Sequence, residues 1–145
     1  MVKLTKEQIY DLAQELDIGK RCFIHKKTGE FMFLPDFEKN GYDGEAFFEE
    51  EMEELENNFM DYIEIDRPRS HDSFQFMADF TEQLQDRNPF KNKLENALNK
   101  HKPFREFMFL IDNSGVYRQA WFDFKNAQLS QWVMDKLEEK TRLMS

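Results

Sequence analysis

The spacing of hydrophobic residues predicts helices over most of this chain and strands in three short segments. Near the N-terminus, four hydrophobic residues recur on one helical face: Ile9, Leu12, Ala13 and Leu16. Thr5 precedes them, and Gln8 follows it by three residues, which is the pattern of a capping box at a helix start. Gly19 supplies a natural stop, so this segment is predicted to be a short capped helix.

The next hydrophobic segments have the shorter period of strands. Residues 21–25 and 31–34 flank a short polar loop that contains Gly29, which predicts a β-hairpin over 21–34. Residues 31–34 are apolar on both faces, and this predicts a strand that is central or covered on both sides. Residues 62–65 form a third candidate strand, which Pro68 follows closely.

A helix is predicted between the hairpin and the third strand, from about Glu45 to Asn57. Its apolar residues form one continuous stripe: Phe48, Met52, Leu55 and Phe59. The simplest interpretation is a surface helix that packs this stripe on the core while its glutamates face solvent.

The second half of the chain has helical periodicity. Helices are predicted over 70–84 with Ser70 as the N-cap, over 89–98, over 104–111, and from 115 almost to the end. The apolar face of the last helix changes phase partway along. This helix is therefore expected either to break near Asn126, which we favour, or to pack its two halves against different surfaces.

Strands that come early and helices that follow them indicate an α+β fold. We expect a small antiparallel sheet of about three strands, the hairpin 21–34 plus strand 62–65, packed with helices and followed by a helical C-terminal half. The length suits a single domain over 1–145, with a possible subdivision into an α/β-rich part, 1–68, and a helical part, 69–145.

Composition adds an expectation about the compartment. Sixteen Phe and two Trp are enough for a core of ordinary size, and the lone Cys22 cannot form an internal disulfide. The N-terminus does not resemble a signal peptide, and no stretch approaches the roughly 20 apolar residues of a membrane span. A cytoplasmic protein without membrane association is expected.

Charge is strongly segregated along the chain. Residues 36–66 hold thirteen of the 29 acidic residues and one base, Lys39, so about −12 of charge lies here against about +3 elsewhere. Such polarity steers partners at a distance. The candidate protein-binding residues are the glutamates on one side of the acidic helix: Glu49, Glu50, Glu53 and Glu54.

Residues 87–105 carry the opposite charge, with six bases against one acid, Glu95. The candidate basic patch consists of Arg87, Lys91, Lys93, Lys100, Lys102 and Arg105. Phe90 and Phe104 lie among these bases, as aromatics do in some nucleic-acid binders, so association with nucleic acid is an alternative. The acidic and basic segments could also attract each other within the fold or between subunits, which makes self-association possible.

Signatures of catalysis are missing from the sequence. It contains no G-x-S-x-G motif, phosphate-binding loop or dinucleotide fingerprint, and no pair of histidines has metal-ligand spacing. A cryptic carboxylate–histidine site at His71 and Asp72, or a pairing of Cys22 with His71 or His101, remains as a minor alternative. We therefore expect no cofactor, no metal and no catalytic residue, and an enzyme is the less favoured reading.

One group of aromatic residues has two interpretations: Phe104, Phe107, Trp121, Phe124 and Trp132. Their helical spacing favours packing in the core, and a ligand or peptide groove is the alternative. Phe109 lies off the main stripe of its short helix and is expected to be exposed.

Several strings occur in a recognisable order: LTKEQI at 4–9, ELD at 15–17, KTGE at 27–30, DYIEI at 61–65, SHDSF at 70–74, KPFREF at 102–107, WFDFK at 121–125 and WV at 132–133. Together they resemble the bacterial uncharacterised protein family 0158 over nearly the whole chain. The resemblance implies no activity, ligand or catalytic residue, because none is established for that family. From the residues, we expect a non-catalytic module that docks a protein partner through its acidic helix face.

Overall fold

A computed structural model of the protein describes residues 3–37 and 47–143. The chain divides into two compact units, one formed by Met1–Arg67 together with Leu129–Ser145 and the other by Pro68–Gln128. The first unit contains α1 (Lys6–Asp17), β1 (Arg21–His25), β2 (Phe31–Leu34), α2 (Glu49–Asn58), a 3-10 turn (Phe59–Asp61) and β3 (Tyr62–Ile65). The second unit contains α3 (Ser70–Glu82), α4 (Pro89–Leu98), α5 (Pro103–Asp112) and the beginning of α6 (Val116–Leu143). The predicted α+β fold, with its three-stranded antiparallel sheet and helical C-terminal half, is confirmed.

The sheet has the strand order β2-β1-β3, and both pairings are antiparallel. Cys22 lies opposite Ile65, and Ile24 lies opposite Ile63, so one face of β1 and β3 is a buried apolar surface. The expectation that residues 31–34 form a central strand is wrong. The central strand is β1, and the first three residues of β2 are only half-buried because this strand pairs on one side.

Helix α1 begins and ends where its sequence predicts. The Thr5 hydroxyl accepts a hydrogen bond from the Gln8 amide at 3.1 Å, and the Gln8 side chain accepts one from the Thr5 amide at 2.9 Å. Gly19, at φ 93°, takes the left-handed conformation that allows the chain to leave the helix and enter β1. Leu12 and Ala13, on the inner side of the helix, are fully buried.

Two side chains anchor the segment after β3 within the first unit. Arg67 donates a hydrogen bond to the Gly19 carbonyl at 2.7 Å and forms an ion pair with Asp36. Trp132, in the last part of α6, donates its indole N–H to the Asp66 carbonyl at 2.8 Å. Both bonds satisfy backbone carbonyls, those of Gly19 and Asp66, that lie just outside the strands and have no partner in the strand ladder.

The core of the second unit is aromatic. Phe80, Phe107 and Trp121 meet edge to face, with ring centroids 5.0 to 6.5 Å apart, and all three are buried. Met77, Leu94 and Ile111 complete the cluster. Asn88 caps α4 by accepting the Phe90 amide at 2.9 Å.

Helix α3 starts differently from the prediction. Its N-cap is Arg69, and Ser70 is the first helical residue. The Asp72 carboxylate accepts the Arg69 amide at 2.9 Å, so an acidic side chain inside the first turn satisfies the helix start.

Helix α6 is a single helix from Val116 to Leu143, so the predicted break near Asn126 is wrong. No Gly or Pro follows Gly115 in this helix, and nothing in its sequence interrupts the backbone ladder. The phase change arises because the two halves of the helix pack in different surroundings. Trp121 packs in the core of the second unit, whereas Leu129 and the residues after it belong to the first.

Candidate functional site

Helix α2 exposes charged side chains, and the residues that flank it expose apolar ones. None of its ten residues, all of which are described, is buried. Met52 and Leu55 are half-buried, and the exposed fractions are 84% for Phe47 and 66% for both Phe59 and Met60. The expected packing of this stripe on a core is therefore wrong, because Phe48, Met52 and Leu55 are only partly covered and Phe59 is exposed. The predicted start at Glu45 lies outside the described residues.

The structure divides the four candidate glutamates into two kinds. Glu49, Glu50 and Glu53 are exposed and have no ion-pair or hydrogen-bond partner for their side chains among residues 3–37 and 47–143. Glu54 is also exposed, but its Oε1 accepts hydrogen bonds from Asn58 at 3.0 Å and from the Tyr62 hydroxyl at 3.3 Å. Three carboxylates are thus available to a partner, and the fourth attaches α2 to the sheet.

Side-chain contacts hold α2 at the residue before its start and at its middle. Phe48 contacts Phe37 with ring centroids 5.9 Å apart, and Glu54 bonds Tyr62 at the start of β3. Partial burial raises the pKa of Tyr62, and the negative charge and the hydrogen bond of Glu54 raise this pKa further. We refer below to Glu49, Glu50 and Glu53, together with Phe47, Phe59 and Met60, as the α2 face.

The six candidate basic residues do not form one surface. Five of them are exposed, namely Arg87, Lys93, Lys100, Lys102 and Arg105. Lys91 is buried, and its ammonium donates to the carbonyls of Glu82 and Leu84 and to the carboxylate of Asp86, at 2.9 to 3.2 Å. This lysine closes the C-terminal end of α3, and the sequence pattern did not reveal that role.

The candidate catalytic residues His71, Asp72 and Cys22 contact neighbours in their own elements or are buried. His71 is exposed, with its Nε2 3.3 Å from the Asp72 carboxylate, and Asp72 is already engaged at the start of α3. Cys22 is fully buried in β1, where burial, followed by the charge of Glu15, raises the pKa of its thiol to about 12. Among the described residues, no group of three or more His, Cys, Asp or Glu is arranged to hold a metal ion.

The five aromatic residues considered together in the sequence are not one cluster. Phe107 and Trp121 are buried in the core of the second unit, and Phe124 packs on them. Phe104 and Phe109 are exposed, the latter as expected, and Trp132 belongs to the first unit. The indole N–H of Trp121 is buried and has no acceptor within the described part of the chain.

The resemblance seen in the sequence is supported over the chain's length. A model of the uncharacterised protein family UPF0158 matches residues 2–143. The chain belongs to UPF0158. One relative is the UPF0158 protein PA5073 of Pseudomonas aeruginosa, which is 29% identical over 85 residues. That match covers 59% of this chain and 55% of the relative, so the chain spans about half the length of the curated relative it matches.

No solved structure matches the chain. Within the described residues, no helix is both long enough and apolar enough to cross a membrane. Membership of UPF0158 supplies no site residue, so the α2 face and the exposed basic residues remain the candidate site.

Proposed function

We propose that this UPF0158 protein is a non-catalytic binding module whose α2 face docks a basic, amphipathic segment of a partner protein. The observation that carries the proposal is that one short helix exposes unpaired glutamates, while the residues at its two ends expose bare apolar side chains. The proposal includes a cytoplasmic location, which the lone, reduced Cys22 favours.

The charge on α2 favours a cationic partner. Residues 47–61 contain six glutamates and Asp61 but no base. Glu49 and Glu53 are four residues apart, and Glu50 and Glu53 are three apart, so their repulsion costs the helix about 0.2–0.5 kcal/mol per pair. Lysine or arginine side chains placed between these carboxylates would replace the repulsion with attraction and would speed the encounter.

The apolar side chains restrict the partner further. Given the 150–250 Å² that an aromatic side chain can bury, Phe47, Phe59 and Met60 together expose on the order of 400 Å². This area is divided between the two ends of α2, with Phe47 before the helix and Phe59 and Met60 after it. A purely polar cation would leave it in water, so we expect the partner to present apolar residues beside its basic ones.

The other candidate functions have less support. An enzyme would need groups that converge, whereas His71 and Asp72 form a local pair and the Cys22 thiol is buried with a raised pKa. A nucleic-acid surface over residues 87–105 loses Lys91 to the interior of the second unit.

Binding of a designed probe tests the proposal. The probe is a fluorescein-labelled synthetic helix with leucine on one face and lysine on the other, and its affinity is measured by anisotropy at low and high salt. Reversing the α2 face with Glu49→Lys, Glu50→Lys and Glu53→Lys should weaken binding by roughly tenfold at low salt. Phe59→Ser should also weaken it, and Ile18→Ser, at another exposed apolar residue, should not.

The matched control carries the same change of charge on other helices. Asp11→Lys, Glu82→Lys and Glu138→Lys alter three exposed acids and also move the formal charge from −9 to −3. This control should bind the probe within about twofold of the wild type, because its changes leave every residue of the α2 face intact. An equal loss in both triple variants would contradict the proposal, as would wild-type preference for a probe with glutamate in place of lysine.

A further inference from the structure

A second exposed surface of the chain combines charge with aromatic side chains. Lys100, Lys102, Phe104, Arg105 and Phe109 are all exposed, and we call them the α5 face. Lys102 is the N-cap of α5, and Arg105 and Phe109 lie one turn apart on the same side of that helix. The α5 face therefore presents cations next to bare phenylalanine rings.

The cations of the α5 face have spare capacity for anions. Lys100 lies 3.9 Å from the Glu106 carboxylate, at the outer limit of an ion pair. Lys102 and Arg105 have no ion-pair partner in the described part of the chain. The N-terminal end of α5 adds the partial positive charge of the helix dipole to theirs.

We infer that the partner of the α2 face is a second copy of this chain, which docks there through its α5 face. This inference rests on the proposed function, because it names the partner of the same surface. Three carboxylates would meet three cations, and the apolar side chains of the α2 face would meet Phe104 and Phe109. Both helices have ten residues and are therefore about 15 Å long, so the two faces are built on helices of equal length.

Two different faces of the chain meet in such a contact, so the symmetry between the copies decides how large the assembly becomes. Two copies related by a twofold axis can make the contact twice and form a closed dimer, and otherwise the contact repeats into longer chains. Since exposed ion pairs supply the specificity, association should weaken as salt rises.

Sedimentation velocity over a range of protein concentrations tests this inference. The wild type should associate at low salt, and its dissociation constant should rise roughly tenfold or more at high salt. The α2-reversed protein carries Glu49→Lys, Glu50→Lys and Glu53→Lys. The α5-reversed protein carries Lys100→Glu, Lys102→Glu and Arg105→Glu.

Each reversed protein keeps one intact face and should be monomeric alone, because like charges then meet at every possible contact. An equimolar mixture should associate, since the intact α5 face of the first protein meets the intact α2 face of the second. A mixture that stays monomeric while the wild type associates would refute this pairing of faces. Circular dichroism spectra of both variants establish that they are folded.

A wild-type protein that is monomeric at every concentration and salt overturns the inference without affecting the proposed function, which the leucine–lysine probe decides separately. Binding of a labelled single-stranded oligonucleotide by the monomer, lost in the α5-reversed protein, would assign the α5 face to nucleic acid and also overturn the inference. If the wild-type protein neither associates with itself nor binds the leucine–lysine probe, both proposals are wrong.

Discussion

Lys91 offers the most direct test of how the structure divides the basic residues. The substitution Lys91→Met removes the ammonium and keeps most of the aliphatic stem, so packing within the second unit changes little. It deprives the carbonyls of Glu82 and Leu84 of a donor, at the end of α3, where helix carbonyls have no partner within the helix.

The expected cost follows from the burial of each partner. Hydrogen bonds to a charged group contribute about 1.5–3 kcal/mol each when they are protected from water. Only 11% of the Lys91 side chain is exposed, whereas 98% of the Asp86 side chain is, so the carbonyl bonds dominate and the Asp86 pair contributes less than about 1 kcal/mol. We expect Lys91→Met to lower the free energy of unfolding by about 2–4 kcal/mol and the Tm by on the order of 10 °C. Asp86→Asn should cost less than about 1 kcal/mol.

Urea unfolding, followed by the fluorescence of one tryptophan, measures these changes in the free energy of unfolding within the second unit. In a Trp132→Phe background, Trp121 is the one tryptophan left, and its fluorescence reports the core of the second unit. Lys93→Met removes an exposed cation two residues away and should change stability by no more than about 0.5 kcal/mol. Equal midpoints for Lys91→Met and Lys93→Met would refute the reasoning, and Lys91 would then return to the candidate basic patch.

Two further predictions concern single side chains. Because the Cys22 thiol is protonated in the folded chain to about pH 12 but only to about pH 8.5 when unfolded, its stabilising contribution is complete below about pH 8.5. That contribution is lost as pH rises through about 12, so the stability of Cys22→Ala relative to wild type should rise across this window, and a constant difference in urea midpoint would contradict the burial. Phe107→Ala should cost about 3–5 kcal/mol, whereas Phe109→Ala, in the same helix but exposed, should cost less than about 0.5 kcal/mol; similar losses in thermal denaturation would mean that the core is wrongly placed.

Local signals in the sequence predicted the elements that local interactions determine. Thr5, Gln8 and Gly19 define α1 through short-range hydrogen bonds and backbone conformation, and the structure has those bonds. The hairpin likewise follows from residues close together in the chain. The helical stripes of Phe107 and Trp121 predicted burial, because both residues recur with a period that matches their helices.

Features that depend on long-range packing were not predictable in the same way. Periodicity places Phe48 and Phe59 on one side of α2, but it does not say whether another element lies opposite that side. The phase change in α6 similarly records a change of surroundings between Trp121 and Leu129, which looks identical in sequence to a broken helix. A lysine pattern gives charge and not burial, so Lys91 was grouped with exposed cations.

The weak attachment of α2 and its concentrated charge have a common physical consequence. A ten-residue helix is marginal by itself in water, because nucleation is costly and its packing must supply the stability. In α2 no residue is buried, and repulsion between neighbouring glutamates acts against the helix. A cationic, apolar partner would relieve the repulsion and cover Phe59 and Met60 in the same event. Partner binding and helix formation in α2 would then be thermodynamically coupled. A substitution that stabilises the helix should therefore also raise the affinity of the α2 face for its partner.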